Sequence, residues 1–205
     1  TLRCVYCHNP ETWDIGKNGF LYSPKELYDK VVKYKPYFGC DGGITVSGGE
    51  PLIQAEFLTE FFKLLKDNGI HTALDTAGVI SDENVSQLLD FTDLVLMDLK
   101  FASEDEYKLY CKGSLKSAET FMDLTESKNI PVWIRHVVVP GINDNIEDIK
   151  KIKNIAQKYK NVQKSEWLPF HNMCREKYEN MGIAFPLKDT NAMKEIDLQE
   201  LLKQA

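Results

Sequence analysis

An apolar, β-branched run followed by an amphipathic helical pattern recurs five times along the chain, and this alternation restricts the fold more than any other feature. Strands are expected at 44–47, 70–75, 94–97, 132–139 and 162–168. The first helix starts at Ser23-Pro24-Lys25-Glu26: Ser23 caps it, Pro24 takes the first helical position, and Glu26 completes a capping box. Leu58, Phe61, Phe62 and Leu65 line one face of the next helix, with Gly69 placed to stop it. Three more helices follow, one after Ser81, one around 115–128, and one carrying Ile146, Ile149, Ile152 and Ile155. Strand alternating with helix implies a parallel sheet with helices outside it. Right-handed crossovers leave two architectures, an open doubly wound sheet or a barrel. A last helical pattern, Leu198, Leu201 and Leu202, has no cap after it, and the sequence opens at Thr1 just before a cysteine pair. It therefore reads as a piece of a longer chain, cut at both ends.

With 205 residues, 43% of them hydrophobic, a single domain with a sizeable core is expected. Its 25 Lys+Arg against 31 Asp+Glu give a net charge of −6, the wrong sign for a chain that wraps nucleic acid. No apolar run reaches the ~18 residues that would suggest a membrane span. The cysteines, at 4, 7, 40, 111 and 174, are odd in number and irregular in spacing, and no signal peptide precedes them. That pattern fits a reducing cytoplasm better than a disulfide framework, with Cys40, Cys111 and Cys174 as packing or surface thiols.

The strand ends separate routine packing from chemistry. They carry Ser47-Gly48-Gly49-Glu50-Pro51, Asp75-Thr76-Ala77-Gly78, Asp98-Leu99-Lys100, Pro140-Gly141 and Pro169-Phe170-His171. Polar and Gly-rich groups thus gather at the carboxyl ends of parallel strands, the face on which barrels and open α/β sheets hold ligands. Gly48 and Gly49 let a ligand approach the backbone, and the Glu50 carboxylate is suited to an ammonium group. Asp75 and Asp98 end otherwise apolar strands and need a cation, a metal or a donor; a plain ion pair with Lys100 or Arg135 is the simpler alternative. Alternation along the fourth strand turns His136 away from the side of Arg135. His171 is expected to face a ligand, and His71, at a strand start, to lie on the opposite face. Cys4-Val5-Tyr6-Cys7-His8 taken alone fits a redox dithiol, a zinc site, a haem attachment or part of an iron–sulfur cluster.

Taken together, Cys4-Val5-Tyr6-Cys7-His8-Asn9-Pro10-Glu11-Thr12-Trp13-Asp14 and Ser47-Gly48-Gly49-Glu50-Pro51 resemble the radical S-adenosylmethionine (SAM) superfamily. Within it they resemble the branch that activates glycyl-radical enzymes. The stretches 71–76, 93–100, 133–141 and 168–171 are similar too, so the resemblance runs to about residue 188. Between Cys7 and Ser47 the sole cysteine is Cys40, so no cysteine-rich module is inserted there, and this points to the pyruvate formate-lyase branch. The segment 9–22 is similar to that branch as well.

The resemblance implies an α/β fold, an incomplete (β/α)6 TIM-like barrel with five parallel strands in this chain and the first strand missing. Residues 1–205 would then be one radical SAM core domain, truncated at both ends. The family's cluster motif is Cys-x3-Cys-x2-Cys. Cys4 and Cys7 match its second and third cysteines, and Thr1-Leu2-Arg3 fill the spacer after a first cysteine that would precede Thr1. By resemblance the thiolates hold a 4Fe–4S cluster, whose electron cleaves SAM to methionine and a 5′-deoxyadenosyl radical, and the radical takes hydrogen from a glycine of the partner enzyme. Tyr6 matches a position beside the adenine, Gly48, Gly49 and Glu50 the segment that takes the SAM amino group, and Lys100 a contact to the SAM carboxylate. His171 matches a contact near the ribose, Val137 an apolar wall, and Arg135 an active-site arginine. Asp75, Thr76 and Asp98 match a monovalent-cation site for Na or K beside SAM. The implied partners are a glycyl-radical enzyme, pyruvate formate-lyase first, and a flavodoxin or ferredoxin-type electron donor, met by a cytoplasmic monomer without nucleic acid or membrane. Three alternatives stay open: activation of a different glycyl-radical enzyme or a different radical SAM reaction, an inactive fold that binds SAM or a partner without chemistry, and a thiol redox or zinc protein using Cys4 and Cys7.

Overall fold

The structure, a computed structural model, describes residues 2–14, 19–40 and 42–205. Thr1 of the expected cluster spacer, and residues 15–18 of the 9–22 segment, lie outside the described residues. Among those described, the five apolar runs form β1 (Gly43–Val46), β2 (His71–Thr76), β3 (Leu94–Asp98), β4 (Val132–Val138) and β5 (Val162–Pro169). They make one sheet in the order β1-β2-β3-β4-β5, each strand parallel to its neighbours in sequence. The order never reverses, as it would at the switch point of a doubly wound sheet, so the barrel alternative is the one adopted.

The connecting helices are α1 (Pro24–Val31), α2 (Ala55–Lys66), α3 (Glu83–Leu89), α4 (Leu115–Ser127) and α5 (Ile146–Ala156), followed after β5 by α6 (Arg175–Asn180) and α7 (Glu195–Gln204). The Ser23–Glu26 capping box forms as expected. On α2 the stripe Leu58, Phe61, Phe62 and Leu65 is buried against the sheet, and each such side chain stabilises the fold by ~1.5–3 kcal/mol. Gly69, at φ +67°, ends that segment in a conformation that favours glycine. Asp82 caps α3, accepting from the Val85 amide at 3.0 Å, so the helix begins after Ser81 as expected. The terminal leucine pattern becomes α7, which lays Leu198 against Val138 and Ile149 in a small second core.

Along β4 the side chains of Val132, Ile134, His136 and Val138 are buried, while those of Trp133, Arg135 and Val137 are half-buried. Because strand side chains alternate, Arg135 and Val137 share one face, and it is the face on which the site forms.

Candidate active site

At the carboxyl ends of the strands lies a cavity of about 360 Å³, within the usual range of ~300–1,000 Å³ for small-molecule sites. Each site residue proposed from the sequence lines it except His171. The ring of His171 instead stands edge-on to His8, at 4.5 Å between centroids. Trp13, Thr12 and Leu168 also line the cavity. Leu168 lies one residue before the end of β5, so its place near a strand end was a usable signal.

Three constellations meet here. The first is the cysteine turn, in which the Cys7 amide donates to the Cys4 carbonyl at 3.0 Å. The Arg3 and Val5 amides donate to the carbonyls of Cys111 and Tyr110, fixing the Cys4 half of the turn. The neighbouring Cys111 thiol, aided by the Lys100 charge and opposed by burial, holds the Cys4 thiol down at about 7. Burial pushes the Cys7 thiol up. The Tyr6 hydroxyl is buried with no well-formed hydrogen bond among the described residues, and the Cys111 thiol is its polar neighbour.

The second is the glycine turn. Gly48 sits at φ +146°, where a side chain would be strained, and a Cβ on Gly49 would stand 3.0 Å from the Thr12 carbonyl oxygen. The two glycines therefore let the segment after the cysteines lie directly on the loop after β1. Glu50 secures this loop: its carboxylate accepts from the Leu52 amide at 3.2 Å, the Ala77 amide at 3.1 Å and the Thr76 hydroxyl. Burial raises the Glu50 carboxyl above its ordinary value, against the pull of these three donors. Glu50 thus braces the Gly48-Gly49 turn against the end of β2 while still lining the cavity.

The third is a charge cluster. Arg135 donates through Nε to Asp98 Oδ1 at 3.0 Å and through Nη2 to Asp75, while Lys100 Nζ donates to Asp98 Oδ2 at 2.7 Å. Two cations against two carboxylates make the cluster neutral. Burial alone would raise Asp98, but Lys100 and Arg135 outweigh it and hold the carboxyl low. Asp75 faces Arg135 on one side and the Asp98 charge on the other, so burial prevails and its carboxyl is raised. Burial would lower Lys100, yet Asp98 and Cys4 hold its ammonium above the ordinary range. Arg135→Gln is accordingly expected to raise the Asp75 pKa further, read from its carboxyl carbon shift in an NMR titration; an unchanged Asp75 would show that Arg135 is not its controlling partner.

The sequence matches the Radical SAM superfamily over residues 1–153. It is 42% identical over 207 residues to a pyruvate formate-lyase-activating enzyme of Clostridium pasteurianum, covering 99% of this chain and 86% of that one. The chain belongs to this activating-enzyme family of the radical SAM superfamily. A pyruvate formate-lyase-activating enzyme of Staphylococcus epidermidis is likewise 42% identical, covering 95% and 82%. In fold the chain is similar to a domain of pyruvate-formate lyase-activating enzyme from Bacteroides vulgatus, with a TM-score of 0.64 at 23% identity over 79% of this chain and 91% of that one. It is also similar to a radical SAM methyltransferase from Sphaerobacter thermophilus, with a TM-score of 0.72 at 12% identity over 100% and 59%.

A radical SAM protein works with a 4Fe–4S cluster and SAM. The donor chemistry here fits. Cys4 and Cys7 bring two thiols to the cavity wall beside the half-buried Lys100 and a glycine turn, and thiolates are the ligands of such clusters. Among the described residues no group of three His, Cys, Asp or Glu could hold a metal ion. Asp75 and Asp98, two of the residues expected at a monovalent cation, are engaged by Arg135, and the Thr76 hydroxyl is directed to Glu50.

Proposed function

We propose that this chain activates pyruvate formate-lyase, with the site residues in the following roles. One observation carries the reading: the cysteine turn, the glycine turn and the Lys100–Asp98–Arg135 cluster all open on one cavity at the carboxyl ends of the strands. Cys4 and Cys7 would hold the 4Fe–4S cluster. With the cluster and SAM bound there, the site would supply the one-electron chemistry for hydrogen abstraction from a glycine of the partner, leaving the partner's glycyl radical.

The chain's own residues orient SAM. The Gly48-Gly49 backbone takes its amino group, Lys100 its carboxylate, and Tyr6 and Val137 flank the adenosyl group, with Leu168 beside Val137 on the same wall. His171, outside the wall beside His8, reaches the ribose from the rim. Arg135 keeps a fixed positive charge opposite Asp75 and Asp98. A monovalent cation, Na or K, would share Asp75, Thr76 and Asp98, which requires Arg135 to release its hold on the two carboxylates. Holding the reacting atoms in place and excluding stray hydrogen donors is what the protein contributes.

Residues 1–205 act as one domain, as a cytoplasmic monomer that receives its electron from a flavodoxin or ferredoxin-type donor. No helix among the described residues is long and apolar enough to cross a membrane. The test is anaerobic reconstitution with iron and sulfide, reduction, and addition of SAM and pyruvate formate-lyase. Methionine, 5′-deoxyadenosine and a glycyl radical seen by electron paramagnetic resonance are expected. SAM cleavage without a radical on pyruvate formate-lyase would assign a different glycyl-radical partner. No cleavage from a protein with its cluster assembled would overturn the reading.

A further inference from the structure

The Cys7 half of the cysteine turn is held from the far end of the chain. The Tyr178 hydroxyl on α6 donates to the Cys7 carbonyl at 3.1 Å, across 171 residues of sequence. Beside it, Lys177 Nζ donates to Asn9 Oδ1 at 2.7 Å and to Glu11 Oε1 at 2.6 Å. The Tyr178 ring meets Trp13 edge-on at 5.9 Å and packs on Phe185 at 4.8 Å. Tyr178 is only 1% exposed, so its phenol is committed to these contacts. The turn is thus gripped from two sides, at Arg3 and Val5 by the 110–111 backbone and from Cys7 to Trp13 by α6.

A bond to the Cys7 carbonyl restricts rotation of the Cys7–His8 peptide and, with it, the direction of the Cys7 thiol. Groups behind a metal ligand that fix its orientation commonly change metal affinity ~10–100-fold when removed. We propose that Lys177 and Tyr178 are positioning residues, a latch that sets the Cys7 thiol and slows loss of the metal centre it holds. The second half of this inference rests on the reading of Cys7 as a cluster ligand; the latch itself does not.

The variants are Tyr178→Phe, which keeps the ring and removes only the hydroxyl, Lys177→Met, which keeps the stem and removes the ammonium, and the two combined. Tyr159→Phe, whose hydroxyl bonds the Glu119 carbonyl elsewhere, serves as the control. Hydrogen exchange is measured before reconstitution on peptides covering 4–14. About five-fold faster exchange is expected in Tyr178→Phe, the factor a single hydrogen bond commands, and more than ten-fold in the combined variant. Sheet peptides should exchange as in the unsubstituted protein, and Tyr159→Phe should leave 4–14 unchanged. After reconstitution, iron release to a ferrous chelator should be ~10-fold or more faster in the combined variant.

Unchanged exchange at 4–14, or an acceleration spread evenly over the sheet, would overturn the latch. Faster exchange with unchanged iron release would overturn the claim that the latch retains the metal. If the unsubstituted protein assembles no cluster, the reading of Cys7 as a ligand falls, while the exchange measurement still decides the latch.

Discussion

Glu50→Ala is expected to lower stability by about 3 kcal/mol or more, although it removes a side chain that makes no hydrophobic contribution. The carboxylate is 4% exposed and satisfies the Leu52 amide, the Ala77 amide and the Thr76 hydroxyl together. Deleting it leaves three donors at the buried junction of two strand-end loops, and each unpaired donor costs ~1–3 kcal/mol before water enters the space. Glu50→Gln keeps the volume and one acceptor oxygen, so a smaller loss of ~1–2 kcal/mol is expected. Urea unfolding would read both, with the slope unchanged and the midpoint shifted. Thr76→Val completes a double-mutant cycle, in which Thr76→Val and Glu50→Ala should be less than additive because they remove the same bond. Stability of Glu50→Ala within 1 kcal/mol of the unsubstituted protein would show that the brace is dispensable and the Gly48-Gly49 turn holds its place without it.

That brace shows where sequence reading stopped. The motif Ser47-Gly48-Gly49-Glu50-Pro51 was legible as a site because it follows a strand, and the alternating pattern made all five strands legible because each is a run of apolar residues bounded by turn signals. Motif spacing, however, says nothing of a carboxylate's partners, and Glu50, while lining the cavity, also accepts from the Thr76 hydroxyl and the Ala77 amide at the end of β2. The grouping of Asp75, Asp98, Lys100 and Arg135 was visible as four polar residues at neighbouring strand ends. The arginine bridging both acids follows from the register that sets Asp98 opposite Arg135, and register is a property of the assembled sheet. The α6 contacts were invisible for a different reason. A six-residue helix is too short for periodicity to declare it, and its partners lie more than 160 residues away. His136 was better served: alternation alone turned it away from the cavity, and it is buried behind Arg135.

The burial of His136 makes the fold sensitive to mild acid. Its Nδ1 stands 2.7 Å from the Leu99 carbonyl, an acceptor, so Nδ1 carries the proton, and Nε2 accepts from Asn143 Nδ2 at 3.0 Å. Asn143 in turn accepts from the Val139 amide and donates to the Val137 carbonyl, tying the loop before α5 to the strand end next to Lys100. The neutral ring is fully used, and a second proton at Nε2 would face a donor. Burial pushes its pKa down from 6.5 to about 4, with the Lys100 charge helping and the Leu99 carbonyl opposing. Between those two values the unfolded chain binds a proton that the folded chain refuses, so stability is complete above pH ~6.5 and is lost as pH falls toward 4. At ~1.4 kcal/mol per pH unit the loss approaches ~3 kcal/mol. Asp98, whose carboxyl is held low, adds to the loss at still lower pH, whereas the raised carboxyls of Glu50 and Asp75 oppose it. His136→Gln separates these contributions, because its amide can donate toward Leu99 and accept from Asn143 but cannot titrate. The stability difference between the unsubstituted protein and His136→Gln should therefore shrink steadily from pH 6.5 to 4.5 and level off above 6.5. A difference independent of pH would mean that His136 titrates alike in the folded and unfolded chains, and the acid sensitivity would then belong to the carboxylates of the charge cluster.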